Sequence, residues 1–511
     1  MNAIRLDILK HITKVSWVVV LVSVSMSFLI FTLHGTLSGP GDQIGYFDQA
    51  RQLIPFEHPF YGPTHFVMLR VIHDLTGYDW FEASKLLSWL CSLGFLLIAR
   101  SLLLRELGPT HGTLALVIVA FNPYFLVYSS QEYTYFTTGF WIILSLWLTR
   151  SLQRNQWIIL LAGFCMALAC LGRMQSVGFA LGAWVGLLLE PGPLRSRFVR
   201  ACFFLLGMTA PIVAWTTFLN VVQGGPPPTQ TQVTLAYALE DIKEIRDYPE
   251  IVKKYPTYWS VLGSSPSAPF KIAFFGVKRA WKYPRETGYA LLFVTSYFLP
   301  VGLLVWLARR ESWNSLSCGF LFGFYATSFA HGSNWPFYSI PLLPLIAVAI
   351  AWLPSRLPSR ESSVVWLVLI LSTLAYGSIK TVSVFNAVEW TEIQSVHDCL
   401  RREKPGSVLV SASSVGYGQD WKTVSMNSVL AYDTDYSEPQ TLARSLLESG
   451  VDYIVILEAH TLFDFPSLAI WLEADPPDSG GCLDRILWIN DRPTGNRAAV
   501  LRVNRDPLLS R

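Results

Sequence analysis

Apolar residues in this chain come in runs of membrane-spanning length separated by polar connections. The first run, Trp17 to Leu33, follows a start that carries Arg5, Lys10 and Lys14. Further runs lie at 83–104, 112–129, 134–149, 156–171, 175–189, 199–222, 287–308, 314–330, 335–353 and 362–385. A helix needs about 20 mostly apolar residues to cross a bilayer. The pattern therefore predicts a polytopic α-helical membrane protein with about 11 transmembrane helices. No clear small-residue cleavage site follows Leu33, so the first run is expected to stay as an anchor.

The polar connections alternate in charge. With the N-terminus inside, the inner ones carry Arg105, then Arg150 and Arg154, then Arg195, Arg197 and Arg200. Arg309 with Arg310, and Arg356 with Arg360, follow on the same side, while among the short outer turns Arg173 is the exception. Lys and Arg are retained on the cytoplasmic side during insertion. The expected location is therefore the cell membrane, with a cytoplasmic N-terminus. Residues 35–82, 223–286 and everything after about 386 then lie outside, so any chemistry is expected to be extracytoplasmic.

The last stretch has a different pattern. Ser407 to Ala412 and Val451 to Leu457 read as buried strands, and Ile486 to Ile489 and Ala498 to Val503 supply more. Ser437 to Ser449 reads as a helix, with Ser437 and Gln440 at capping-box spacing and Gly450 as its stop. The domains expected are a membrane part over 1–385 and a small extracytoplasmic α/β domain over 386–511.

Composition supports the membrane reading: 52% of the residues are hydrophobic and 15% are charged, against about a quarter charged in a soluble domain. A net charge of +3 gives no reason to expect nucleic acid. Cys91, Cys165, Cys170, Cys202 and Cys318 fall in apolar runs, whereas Cys399 and Cys482 fall in the outer domain, where a disulfide and two free thiols are both open. No CxxC or HExxH pattern marks a metal cage.

Candidate chemistry centres on Gly41-Asp42-Gln43-Ile44-Gly45-Tyr46-Phe47-Asp48-Gln49-Ala50-Arg51. If helical, it puts Asp42, Tyr46, Gln49 and Leu53 on one face. Asp48 and Arg51 point elsewhere and could pair. Asp42 is then either a helix cap after Gly41 or a carboxylate presented at the membrane surface.

With the topology in place, this stretch resembles the start of the C-type glycosyltransferase superfamily (GT-C). The similar branch uses polyprenyl-phosphate sugars and includes protein mannosyltransferases and lipid A aminoarabinose transferases. The resembling residues are Gly41-Asp42, Tyr46 and Ala50-Arg51, followed by His58-Pro59-Phe60-Tyr61-Gly62-Pro63. Asn122-Pro123 with Glu132 resembles a second acidic loop, and Arg173 stands where the family often has an Arg. Lys278-Arg279-Ala280-Trp281-Lys282-Tyr283-Pro284-Arg285 resembles a basic, Trp-containing segment, and Pro341-Leu342-Leu343-Pro344 a late turn. Two departures stand out. Gln43 follows Asp42 where many relatives have a second acid, so a divalent cation stays open and no cofactor is assigned. His331, rather than an Arg or Lys, precedes the Pro-Leu-Leu-Pro turn.

The resemblance implies sugar transfer from a polyprenyl-phosphate donor to a glycan, lipid or protein acceptor, with the lipid bilayer as a further partner. A phosphate leaves as an anion without an acid, whereas the acceptor hydroxyl needs a base, so one carboxylate suffices. Asp42 is the candidate catalytic base. Arg173 is the first candidate cation for the phosphate, with Lys278, Arg279, Lys282 and Arg285 as the pool for a second. Tyr46, His58, Glu132 and His331 complete the candidate substrate-binding residues. For the basic segment, anchoring in the headgroups is an equal reading. Other functional readings are an O-antigen ligase or polymerase and a transporter or flippase of lipid-linked substrates.

Overall fold

A computed structural model of the chain describes residues 2–33, 43–53, 62–78, 80–129, 134–151, 155–173, 175–224, 235–236, 238–240, 253–275, 278, 303–308, 313–330, 340–387, 391–400, 402–410, 422–426, 429–430, 434–458, 461–462, 465–479, 481–491 and 496–505. The described parts of the apolar runs are helical, those at 287–308 and 335–353 being described only from residues 303 and 340 on. The first helices, two of them in the outer segment 35–82, are α1 (Asn2–Leu33), α2 (Gln43–Gln52), α3 (Pro63–Thr76), α4 (Trp80–Ala120), α5 (Pro123–Tyr128), α6 (Tyr135–Ser151), α7 (Gln156–Gly172), α8 (Ser176–Leu189) and α9 (Leu194–Gln223). After α10 (Tyr258–Leu262) come α11 (Ser315–Ala330), α12 (Leu343–Trp352), α13 (Ser359–Ala387) and α14 (Thr391–Leu400).

Among the described residues, 4 helices are long and apolar enough to cross a membrane, and shorter apolar helices lie at Gln156–Gly172, Ser176–Leu189, Ser315–Thr327 and Ile340–Arg356. The expected count of about eleven is therefore not reached by these helices alone. One cause is α4, where two expected runs form one hydrogen-bonded element. Inside it Gly108 has φ 76° and ψ 170°, and Pro109, which lacks an amide hydrogen, follows. The chain turns back there, so that a side chain at Gly112 would strike the backbone of Leu103 and Leu104.

Small residues let these helices approach closely. Gly178, Gly182 and Gly186, one turn apart on α8, meet the backbone of Phe322, Cys318 and Ser315 on α11. Gly163 on α7 and Gly207 on α9 likewise sit against each other's helix backbone. In lipid, such small-residue seams favour helix association by allowing close van der Waals contact.

The bundle has two distinct ends. At one, Glu106 accepts from Arg150 Nε at 2.6 Å, and Glu190 accepts from Arg200 at 2.9 Å. Arg197 caps the carbonyl of Leu188 there. At the other end, α5 leads into α6, and Arg173 closes the turn between α7 and α8. Gly377 of α13 meets the Phe121 carbonyl near this second end, so α13 runs on toward the sheet from the Arg173 side.

The sheet comprises β1 (Ser407–Val410), β2 (Lys422–Ser425), β3 (Tyr453–Leu457), β4 (Leu483–Asp491) and β5 (Asn496–Val503), ordered β2-β1-β3-β5-β4. β1 pairs in parallel with β2 and β3, while β5 is antiparallel to both β3 and β4. Alternate residues divide between two layers. Val408, Val410, Val455 and Val500 join the cluster containing Val396 and Leu400 of α14, whereas Leu409, Ile454, Ile456 and Leu501 join Leu442 and Leu446 of α15 (Pro439–Glu448).

One local expectation changes, one holds and one open alternative closes. The cap of α15 is Glu438 followed by Pro439, not a Ser437–Gln440 box, because Pro fits the first helical position. Gly450 does stop that segment, at φ 65°. Cys399 and Cys482 are both free, since α14 and Cys482 lie against opposite sheet faces.

Candidate functional site

The site forms where α2 and α3 lie across the ends of α6 and α7. On α2, Tyr46 and Gln49 are each 2% exposed, so they share a buried face, as the spacing predicts. Phe47 and Ala50 widen that face. Leu53 does not continue it: the residue lies beyond the helix at φ 54° and is exposed. A left-handed residue ends the helical path, and its amide returns to the Gln49 carbonyl at 2.8 Å. Arg70 of α3 then caps α2, donating to the carbonyls of Arg51 at 3.1 Å and Ala50 at 3.4 Å. A cation suits a helix C-terminus, where the backbone dipoles leave partial negative charge. The guanidinium groups of Arg51 and Arg70 both lie over the Trp80 ring, and His73 stacks on that ring.

The start of α3 is held by α7. Thr64 donates to the Leu168 carbonyl at 2.7 Å, and Gly62 lies directly against the Leu171 carbonyl. Three residues into the clamp comes His65, which is fully buried. Its Nδ1 is 3.1 Å from Thr137 Oγ1 in α6, and the Tyr46 and His65 rings meet edge to face at 4.8 Å. Burial, together with the nearby Arg173 charge, pushes the His65 pKa down to about 3, so its imidazole is neutral near pH 7.

Arg173 caps α7 in an extended conformation, and its carbonyl receives the Ser176 amide at the start of α8. Its Nε donates to Thr134 Oγ1 at 2.6 Å, and its guanidinium carbon lies 4.5 Å from the centre of the Tyr135 ring. This fixes a fork-shaped cation at the N-terminal end of α6, where helix dipoles already favour an anion.

Of the residues singled out in the sequence, Tyr46 and Arg173 converge here through His65. Lys278 is exposed, with no described contact to them. Asp42, His58, Glu132, Arg279, Lys282, Arg285 and His331 lie outside the described residues. Asn122 caps α5 through a bond from the Tyr124 amide at 3.0 Å. His65 and Thr137 were not singled out. The available signal was the hydroxyl-rich start of an apolar run, Thr134-Tyr135-Phe136-Thr137-Thr138. Among the described residues, no cluster of three or more His, Cys, Asp or Glu is placed to hold a metal ion.

This arrangement can be set beside known structures. ArnT from Cupriavidus metallidurans bound to undecaprenyl phosphate superimposes with a TM-score of 0.60 at 12% identity, over 96% of this chain and 97% of that one. The fold is that of the C-type glycosyltransferases. The archaeal oligosaccharyltransferase AglB from Archaeoglobus fulgidus, in complex with an inhibitory peptide and a dolichol-phosphate, gives a TM-score of 0.53 at 11% identity. That match covers 95% of this chain and 74% of AglB. No protein-family model matches the chain, and no curated protein matches its sequence. The GT-C likeness is thus one of fold, spanning the membrane helices and the terminal sheet together.

Proposed function

We propose that the protein is a membrane glycosyltransferase that moves a sugar from a polyprenyl-phosphate donor to an extracytoplasmic glycan, lipid or protein. The observation that carries this reading is the near full-length correspondence with ArnT, whose solved structure holds undecaprenyl phosphate. The Arg173 junction supports it locally, as a fixed cation at the end of a helix suits a phosphate.

In this mechanism the acceptor hydroxyl gives its proton to the Asp42 carboxylate as its oxygen attacks the anomeric carbon. The bond from that carbon to the phosphate oxygen breaks, and the polyprenyl phosphate departs as an anion. One displacement inverts the anomeric centre, and no acid is needed for the leaving group. Arg173 neutralises the phosphate as charge develops. Asp42 immediately precedes α2, the helix whose Tyr46 lies against His65. His58, Glu132, Arg279, Lys282, Arg285 and His331 stay candidates for the substrate shell.

The end carrying the Arg150–Glu106 and Arg200–Glu190 pairs is assigned to the cytoplasm, and residues 386–511 to the outside as a separate α/β domain. A reporter fused after Arg511 then reads external, and one after Arg360 reads cytoplasmic. The function itself is tested by mass spectrometry of glycans and lipid-linked sugars in a deletion strain. Loss of one sugar from a glycan, with its polyprenyl-phosphate form accumulating, is the expected result. An unchanged glycan profile with the lipid held on one face of the membrane would instead mark a transporter.

A further inference from the structure

The His65 ring is fully buried and fixed on one side only. Nδ1 meets Thr137, the Tyr46 ring covers an edge, and Nε2 has no hydrogen-bond partner among the described residues. A buried polar atom left without a partner costs about 1–3 kcal/mol, so native proteins keep few of them without a role. A second buried polar atom without a partner among the described residues, Thr138 Oγ1, lies at the same junction of α3, α6 and α7, beside Gly172. Both flank the turn that carries Arg173.

We propose that His65 is a ligand-binding residue whose Nε2–H donates to a phosphoryl oxygen of the lipid-linked donor held at Arg173. This rests on the polyprenyl-phosphate reading above and adds an uncharged donor to it. With the Thr137 hydroxyl donating to Nδ1, the ring hydrogen sits on Nε2, and both nitrogens are satisfied once an anionic oxygen is present. Burial and the neighbouring Arg173 hold the ring neutral. A neutral donor stabilises the bound phosphate without adding a second full charge that would resist its departure as product. The position of His65 in the first turn of α3 adds the positive end of a helix to the same pole.

Two substitutions separate this role from a structural one. In His65→Gln the amide nitrogen can reach the place of Nε2, whereas in His65→Asn it reaches only that of Nδ1. Binding of undecaprenyl phosphate to the full-length protein in nanodiscs is measured for each, with inorganic phosphate as competitor and thermal stability alongside. Asn should weaken binding by about tenfold or more, the usual loss for a hydrogen bond to a charged group, while Gln stays within about threefold of wild type. Weak competition by inorganic phosphate identifies the lipid, not free phosphate, as the source of the oxygen. Should the Asn variant fail to fold, the nitrogen NMR resonances of labelled His65 in wild type replace it, and Nε2 should shift when undecaprenyl phosphate is added. Equal binding by Asn and wild type, or an Nε2 resonance unmoved by bound lipid, overturns the proposal and leaves a structural water at Nε2. Wild-type protein that binds no undecaprenyl phosphate overturns the donor reading instead, and this proposal with it.

Discussion

Gly62→Ala tests whether the seam between α3 and α7 sets the site. Gly62 has φ −83° and ψ 150°, a conformation open to any residue, so backbone preference adds no penalty. Space is the problem. An added Cβ would overlap the Leu171 carbonyl oxygen and lie 2.5 Å from its carbon and 2.9 Å from the Gly172 oxygen. These atoms are backbone at the end of α7 and cannot rotate aside, so the start of α3 must retreat by roughly 1 Å, an overpacking cost of about 1–3 kcal/mol. Retreat loosens the Thr64 bond to Leu168 and carries His65 away from Thr137. Misplacing a positioning group by ~1 Å costs about a hundredfold in rate. The control is Gly77→Ala at the other end of α3, where φ is 70° and no atom of the described residues lies within 4 Å of an added Cβ. It should lose about 1–2 kcal/mol from left-handed strain yet leave transfer intact. The assay pairs thermal unfolding in detergent with transfer from a labelled polyprenyl-phosphate sugar. A Gly62→Ala protein as stable and as active as wild type would refute the seam.

Two further outcomes follow from the same junction. Arg173→Ala should weaken donor binding by roughly ten- to a hundredfold, as expected for about 1.5–3 kcal/mol, and Arg173→Lys should fall between, keeping charge but losing the fork; isothermal binding of undecaprenyl phosphate measures both, and unchanged affinity would return Arg173 to a helix-cap role. Because the folded His65 pKa is near 3 and the ordinary value is 6.5, the unfolded chain takes up the proton first. Stability therefore falls as the pH drops below 6.5, by about 2 kcal/mol at pH 5. Unfolding curves of wild type should show this loss and those of His65→Gln should lack it; equal acid sensitivity would contradict the assignment.

The parts legible in the sequence are those set by local pattern. Apolar length marks most helices, Gly224 and Gly450 stop theirs with positive φ, and short apolar runs mark β1, β3, β4 and β5. Strand β2, Lys422–Ser425, carries no comparable apolar run and is a strand because β1 pairs with it. Tyr46 and Gln49 share a face by helical spacing alone, yet Leu53 leaves it because its backbone turns left-handed. His65 was not legible as a site residue, since its partner Thr137 comes from another helix 72 positions away. The glycine seam of α8 was there to be read at four-residue spacing, but only the packing against α11 shows which face uses it.

The central claim, that one carboxylate before α2 activates the acceptor, is tested most directly by Asp42→Asn. Asn caps a helix about as well as Asp, so folding should survive. Transfer from a labelled polyprenyl-phosphate sugar should fall by about two to four orders of magnitude, the usual contribution of a positioned base, while binding of undecaprenyl phosphate persists and Asp48→Asn stays mild. An Asp42→Asn enzyme that transfers sugar at the wild-type rate would contradict the account and leave that carboxylate a cap.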